Sequence, residues 1–136
     1  MRHYDWLAHY ARSTPTSPCW TDLASGRRFT FAEADDRVRR LAAHLASACG
    51  VEKGDRVATL AMNTTELLEV HAACAKLGAV FFPMNWRLAA PELDFIIGDG
   101  APKVVIHDDE TQPLLDAVTA TIPHHIRTDG AGGDSA

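Results

Sequence analysis

The residues of this chain best suited to chemistry stand together at Asn85, Trp86 and Arg87, inside the stretch GAVFFPMNWRLAAPEL over 78–93. An apolar run built for a sheet interior ends there at Pro83, whose ring removes a backbone donor and stops the ladder, and a helix starts at Pro91. Arg87 is always charged, weakly hydrated and forked, which suits a phosphate. The same arginine could instead bond nearby carboxylates or carbonyls and organise the loop before Pro91. Asn85 can hydrogen-bond local backbone and hold the turn. Trp86 reads as a lid on the apolar layer.

The other candidates carry less. Seven histidines raise the question of a metal, and His124-His125 and His107-Asp108-Asp109 are the nearest thing to clusters. Adjacent histidines on a strand point to opposite faces, and no second pair stands at ligand spacing, so no metal site is assigned. His71 and Cys74 share a helix face with Leu67 and Leu77, which makes His71 a core histidine. Gly98-Asp99-Gly100 follows a helix rather than a strand and reads as a turn, not a dinucleotide fingerprint. Neither a G-x-x-x-x-G-K-[ST] loop nor a G-x-S-x-G elbow is present. No catalytic residue is assigned.

Arg27, Arg28, Arg37, Arg39 and Arg40 cluster, but Glu33, Asp35 and Asp36 lie among them, the pattern of a mixed-charge solvated face rather than a phosphate stripe. A net charge of −5 argues against a general nucleic-acid binder. The N-terminus MRHYDWLAHYAR lacks a signal-peptide core, and no apolar stretch approaches the roughly 20 residues of a membrane span. Three cysteines, widely spaced and in no C-x-x-C pair, fit free thiols in a reducing compartment. The expected location is the cytoplasm.

The elements that must position Arg87 follow from periodicity. Residues 3–12 suit a short helix that ends near Ser13 ahead of Pro15. Cys19 to Leu23 and Arg27 to Phe31, flanking Ala24-Ser25-Gly26, suit a β-hairpin. Thr30 and Glu33 form a capping box for a helix repeating Phe31, Ala34, Val38, Leu41, Leu45 and Ala48. Three strand–helix units follow, with strands at Arg56 to Met62, Ala79 to Phe82 and Lys103 to His107. Their helices are capped at Asn63-Thr64-Thr65-Glu66, opened by Pro91 and ended by Gly98-Asp99-Gly100, and started at Pro113; a last short strand spans Ile122 to Ile126. The alternation predicts an α/β chain, with βαβ units forming a mostly parallel sheet after the hairpin and helix. Near-continuous apolar strands fit a sheet covered on both faces. A core unit over 1–129 and a flexible tail over 130–136 are expected.

Several blocks in order carry a resemblance: P-C-W-T-D-x-x-S-G-R-R-F-T-F-A-E-A, V-E-K-G-D-R-V-A-T-L-A-M-N, K-L-G-A-V-F-F-P-M-N-W-R-L and E-L-D-F-I-I-G-D-G-A-P-K-V-V-I. The chain resembles the beginning of the AMP-forming acyl-CoA synthetases, in the adenylate-forming superfamily that includes luciferases and peptide-synthetase adenylation domains. The N-x-R-L form at Asn85 to Leu88 is more similar to the acyl- and aryl-CoA ligase branch.

The resemblance implies the first, incomplete subdomain of a carboxylic acid–CoA ligase of fatty acid metabolism. Such an enzyme uses ATP and Mg to form an acyl-adenylate, and CoA then displaces AMP. It also implies a CoA phosphate contact for Arg87. The family's phosphate loop, magnesium glutamate, ribose aspartate and mobile-domain lysine all lie downstream of the matched region, so the chain alone is expected to be catalytically incompetent. Its expected partner is the missing C-terminal remainder or a second copy, with no nucleic acid and no membrane span. The alternative is a stand-alone α/β binding or protein-interaction module derived from such a ligase. A parallel sheet lacking its second layer would expose apolar surface.

Overall fold

Thr30 ends a strand and opens the longest helix. Its hydroxyl accepts the Glu33 amide at 3.3 Å, while the Glu33 carboxylate accepts the Thr30 amide at 2.8 Å. This reciprocal pair satisfies two donors that a helix start leaves open. The computed structural model describes residues 5–128; the tail expected over 130–136 lies outside them.

Helix α1 (Trp6–Ser13), capped by the Asp5 carboxylate, leads to a hairpin of β1 (Pro18–Thr21) and β2 (Arg28–Thr30) and then to α2 (Phe31–Ser47). The sequence pattern carries the hairpin strands to Leu23 and Phe31, and the structure stops them earlier. Asp22 turns the chain by accepting the Ala24 amide and the Ser25 hydroxyl, and Phe31 already belongs to α2.

The remaining elements are β3 (Arg56–Leu60), α3 (Thr65–Leu77), β4 (Val80–Pro83), α4 (Ala90–Gly100), β5 (Val104–His107), α5 (Gln112–Asp116) and β6 (His124–Arg127). The four strands β3 to β6 are all parallel, in the order β4-β3-β5-β6. Gly78 ends α3 at φ 69°, a left-handed conformation that side chains resist.

Strand alternation sorts the core into two faces. Val57, Val104 and Ile106 join Val38, Leu45 and Val70 of α2 and α3. Ala58, Leu60 and Val105 join Leu93, Ile97 and Leu115 of α4 and α5. The chain's own helices therefore cover both faces, and the bare sheet face expected of a missing layer is not found. Large apolar side chains stand exposed elsewhere, notably Phe95 at 73% and Val80 at 47%.

Four local expectations are corrected. Thr64 is the N-cap of α3 but makes no side-chain capping bond. Gly98-Asp99-Gly100 is the last turn of α4, not a loop; the left-handed cap is Ala101, at φ 45°. His71 is exposed, tilted against Phe81 with ring centroids 5.1 Å apart, while Cys74 is buried. The arginine cluster is neither a phosphate stripe nor wholly solvated. Arg27 pairs with Glu66 at 2.8 Å and Arg37 with Glu69, both arginines packing over Phe29, while Arg39 and Arg40 make surface pairs with Asp35 and Asp36.

Close approach explains one glycine. A Cβ on Gly100 would stand 2.4 Å from Cε1 of Phe82, so α4 can seat on β4 only where that atom is missing. Gly100→Ala should cost about 1–2 kcal/mol, an overpacking penalty partly offset by better helix propensity. Urea unfolding would read this as a lower midpoint at unchanged slope.

The three cysteines are free. Burial pushes the Cys74 thiol up to about 11, which makes it a poor nucleophile. No helix among the described residues is long and apolar enough to cross a membrane.

Candidate functional site

All four parallel strands end on one side, which gathers the loops after β3, β4 and β5 there. The chain leaves β3 for β4 on one flank, then crosses back through α4 to β5 on the other. In open α/β sheets such a reversal leaves a crevice that binds ligands. Here the crevice is stapled shut. Asp108, just past β5, accepts the Met62 amide at 2.8 Å with one oxygen and the Thr111 amide at 2.9 Å with the other. The Thr111 hydroxyl donates to the Leu60 carbonyl at 2.5 Å. Asp108 and Thr111 are buried, and their bonding capacity is spent on the chain itself. Sequence reasoning grouped Asp108 with His107 and Asp109 as a weak cluster; its partners, 46 and 51 residues before Asp108 and Thr111, left no local signal.

Among the described residues the histidines do not gather into a metal-ligand group. His107 is buried, its Nδ1 3.3 Å from the Asp108 carbonyl oxygen, and its ring meets His125 edge-on at 6.2 Å. Burial, with the His107 charge beside it, holds His125 below the ordinary imidazole range. Among the described residues no three His, Cys, Asp or Glu side chains come together as a metal ion needs.

The loop after β4 is built differently. β4 is the edge strand of this sheet, not a central one as its apolar sequence implied. Nor does Pro83 stop the ladder: it pairs with Thr59, and the next amide, Met84, donates to the Thr59 carbonyl at 2.8 Å. Proline is tolerated because an edge strand needs donors on one side only. Met84 is buried against α4, and the chain then turns out. As expected, Asn85 holds the turn, its side-chain oxygen accepting the Arg87 amide at 3.0 Å and its carbonyl the Leu88 amide at 3.2 Å. Leu88 packs back onto the core, and Glu92 accepts the Ala89 amide at 2.9 Å to start α4.

Two side chains are left outward between these anchors. Trp86 is 36% exposed. Its ring carries the Arg87 guanidinium, 5.0 Å from the centroid. Among the described residues three arginines lie over aromatic rings in this way. Arg27 and Arg37 are also tied to carboxylates, whereas Arg87 makes no ion pair among the described residues.

Sequence reasoning missed a cavity of about 490 Å³ between α1, β1 and α3, lined by Trp6, Cys19, Trp20, Leu68 and His71. The Trp20 indole Nε1 is buried there without a partner. Asp5 and His71 both line it, but the Asp5 carboxylate is taken by Lys76 at 2.9 Å and by the Ala8 amide at 3.2 Å, and burial pushes the Cys19 thiol up to about 11.

The chain and its fold match known proteins. The family model described as AMP-binding enzyme matches residues 7–133. The chain belongs to the AMP-binding enzyme family. Among its relatives is the long-chain-fatty-acid–CoA ligase FadD13 of Mycobacterium tuberculosis, 39% identical over 137 residues, covering 99% of this chain and 27% of that protein. A feruloyl-CoA synthase from an Amycolatopsis species is 41% identical over 115 residues, covering 85% of this chain and 23% of that one. The solved N-terminal domain of FACL13 from M. tuberculosis superposes with a TM-score of 0.86 at 35% identity, over 96% of this chain and 35% of that domain. The chain thus spans about a quarter of the length of the curated relatives it matches. The fold resembles the first part of that N-terminal domain.

Proposed function

We propose that this chain is the N-terminal part of an ATP-dependent carboxylic acid–CoA ligase, and that residues 1–129 are the first subdomain of its large domain. The observation that carries this reading is one of extent: likeness runs along 99% of the chain, yet covers 27% of a fatty acid–CoA ligase. In the proposed reaction the carboxylate attacks ATP to give acyl-adenylate and pyrophosphate, and the CoA thiol then displaces AMP to give the thioester.

The described residues do not fit ATP or Mg. The crevice donors and acceptors are consumed by Asp108 and Thr111, and no metal-ligand group forms among the described residues. No step of the adenylation half-reaction is assigned to this chain, which is therefore read as incompetent alone, with the remainder of the ligase as its partner. Free thiols suit action in the cytoplasm.

CoA is different, because Arg87 offers an uncommitted guanidinium at the carboxyl edge of the sheet. We read it as a contact for a CoA phosphate, with its fork donating hydrogen bonds to phosphate oxygens. The test joins this chain to the remaining three-quarters of FadD13 in place of that protein's own first segment. The chimera should make acyl-CoA, and Arg87→Ala should raise its KM for CoA roughly 10- to 100-fold, the range for losing a charge-assisted hydrogen bond. Pyrophosphate exchange should stay within about twofold, since adenylation precedes CoA. A soluble chimera that makes no thioester overturns the family role; an equal fall in exchange makes Arg87 structural.

A further inference from the structure

We infer that Trp86 is a positioning residue for Arg87: its indole face holds the guanidinium in one orientation, with the donor fork turned to solvent, ready for an anionic ester. This rests on the reading of Arg87 as the phosphate contact and goes one step past it. An exposed arginine normally spreads over many rotamers and must lose that freedom on binding. Preorganisation removes part of the cost before the ligand arrives.

Three observations point the same way. The Arg87 guanidinium lies 5.0 Å from the Trp86 ring centroid. The backbone beneath is fixed, since Asn85 accepts the Arg87 amide at 3.0 Å and Met84 and Leu88 are seated in the core on either side. Trp86 is 36% exposed, so part of the indole stays at the surface, where the guanidinium meets it. The contrast with Phe29 is instructive. Its two arginines are ion-paired with Glu66 and Glu69 and have a structural task, whereas Arg87 lies over Trp86 and forms no ion pair among the described residues. A guanidinium held over a ring by cation–π attraction also keeps its N–H groups available, because that attraction consumes no hydrogen bond.

The full chain can be tested by following the Arg87 side-chain signals in NMR while CoA is titrated. In the unliganded wild type, the indole ring current should displace the Arg87 side-chain protons from their free-arginine positions, and Trp86→Leu should return them. The CoA dissociation constant should rise roughly two- to five-fold in Trp86→Leu, the ratio for an exposed cation–π contact. Trp86→Phe should recover most of that loss, and Arg87→Ala should lose at least tenfold. If Arg87→Ala binds like wild type, the phosphate reading fails and takes this inference with it. If Arg87→Ala weakens binding but Trp86→Leu does not, or if Leu and Phe weaken it equally, only the positioning role fails. A wild-type chain whose Arg87 signals ignore millimolar CoA contradicts both.

Discussion

Glu69→Ala should destabilise the chain by about 3 kcal/mol, the low end of the cost of breaking a buried ion pair from one side. Glu69 sits in the middle of α3 and grips Arg37 of α2 with both oxygens, one of these bonds at 3.2 Å. The Arg37 side chain is only 19% exposed and packs on Phe29. The hydrogen bond that Arg37 donates to Glu69 raises the Arg37 pKa despite burial, and the neighbouring Arg27 opposes it. Truncating Glu69 would leave Arg37 largely out of water beside a second guanidinium. Glu69→Gln keeps an acceptor and should cost less than half as much. Urea unfolding followed by circular dichroism reads both variants, and a loss under about 1 kcal/mol for the alanine would place the pair with ordinary surface bridges.

Asp108→Ala should be as severe, at about 3 kcal/mol or more. Its carboxylate is the acceptor for two amides, Met62 and Thr111, from loops that no regular pairing satisfies. Each buried donor left open costs about 1–3 kcal/mol. Asp108→Asn keeps one good acceptor and should lose about half that, provided its amide nitrogen turns to the more open side. The same measurement discriminates a structural staple from a ligand site. A variant that keeps its stability would mean that the crevice between β3 and β5 is free to accept something else.

What was legible in the sequence is what depends on neighbours along the chain. Thr30 and Glu33 announce their capping box because both partners lie within one turn. Gly78 announces a helix end because a left-handed residue is a local requirement. The apolar run over Val80 to Phe82 announces a strand, but not its rank: whether β4 is central or at the edge depends on the direction in which α3 and α4 cross. That choice also decides what Pro83 means. Gly98-Asp99-Gly100 misled for a similar reason, since Gly100 is dictated by the Phe82 ring rather than by a turn.

The candidate site was half legible. Asn85 was read correctly as a turn-holder, a task it performs two residues away. The Arg87 guanidinium lies over the Trp86 ring, an arrangement that no spacing in the sequence announces. Asp108 showed nothing of its role, which spans 46 residues to Met62.

The most direct measurement is pyrophosphate release by the purified chain with ATP, magnesium and a panel of fatty and aryl carboxylates. No release above the protein-free blank is predicted, because the reacting groups are assigned to polypeptide outside these residues. Turnover that scales with chain concentration, and survives further purification, would contradict the account.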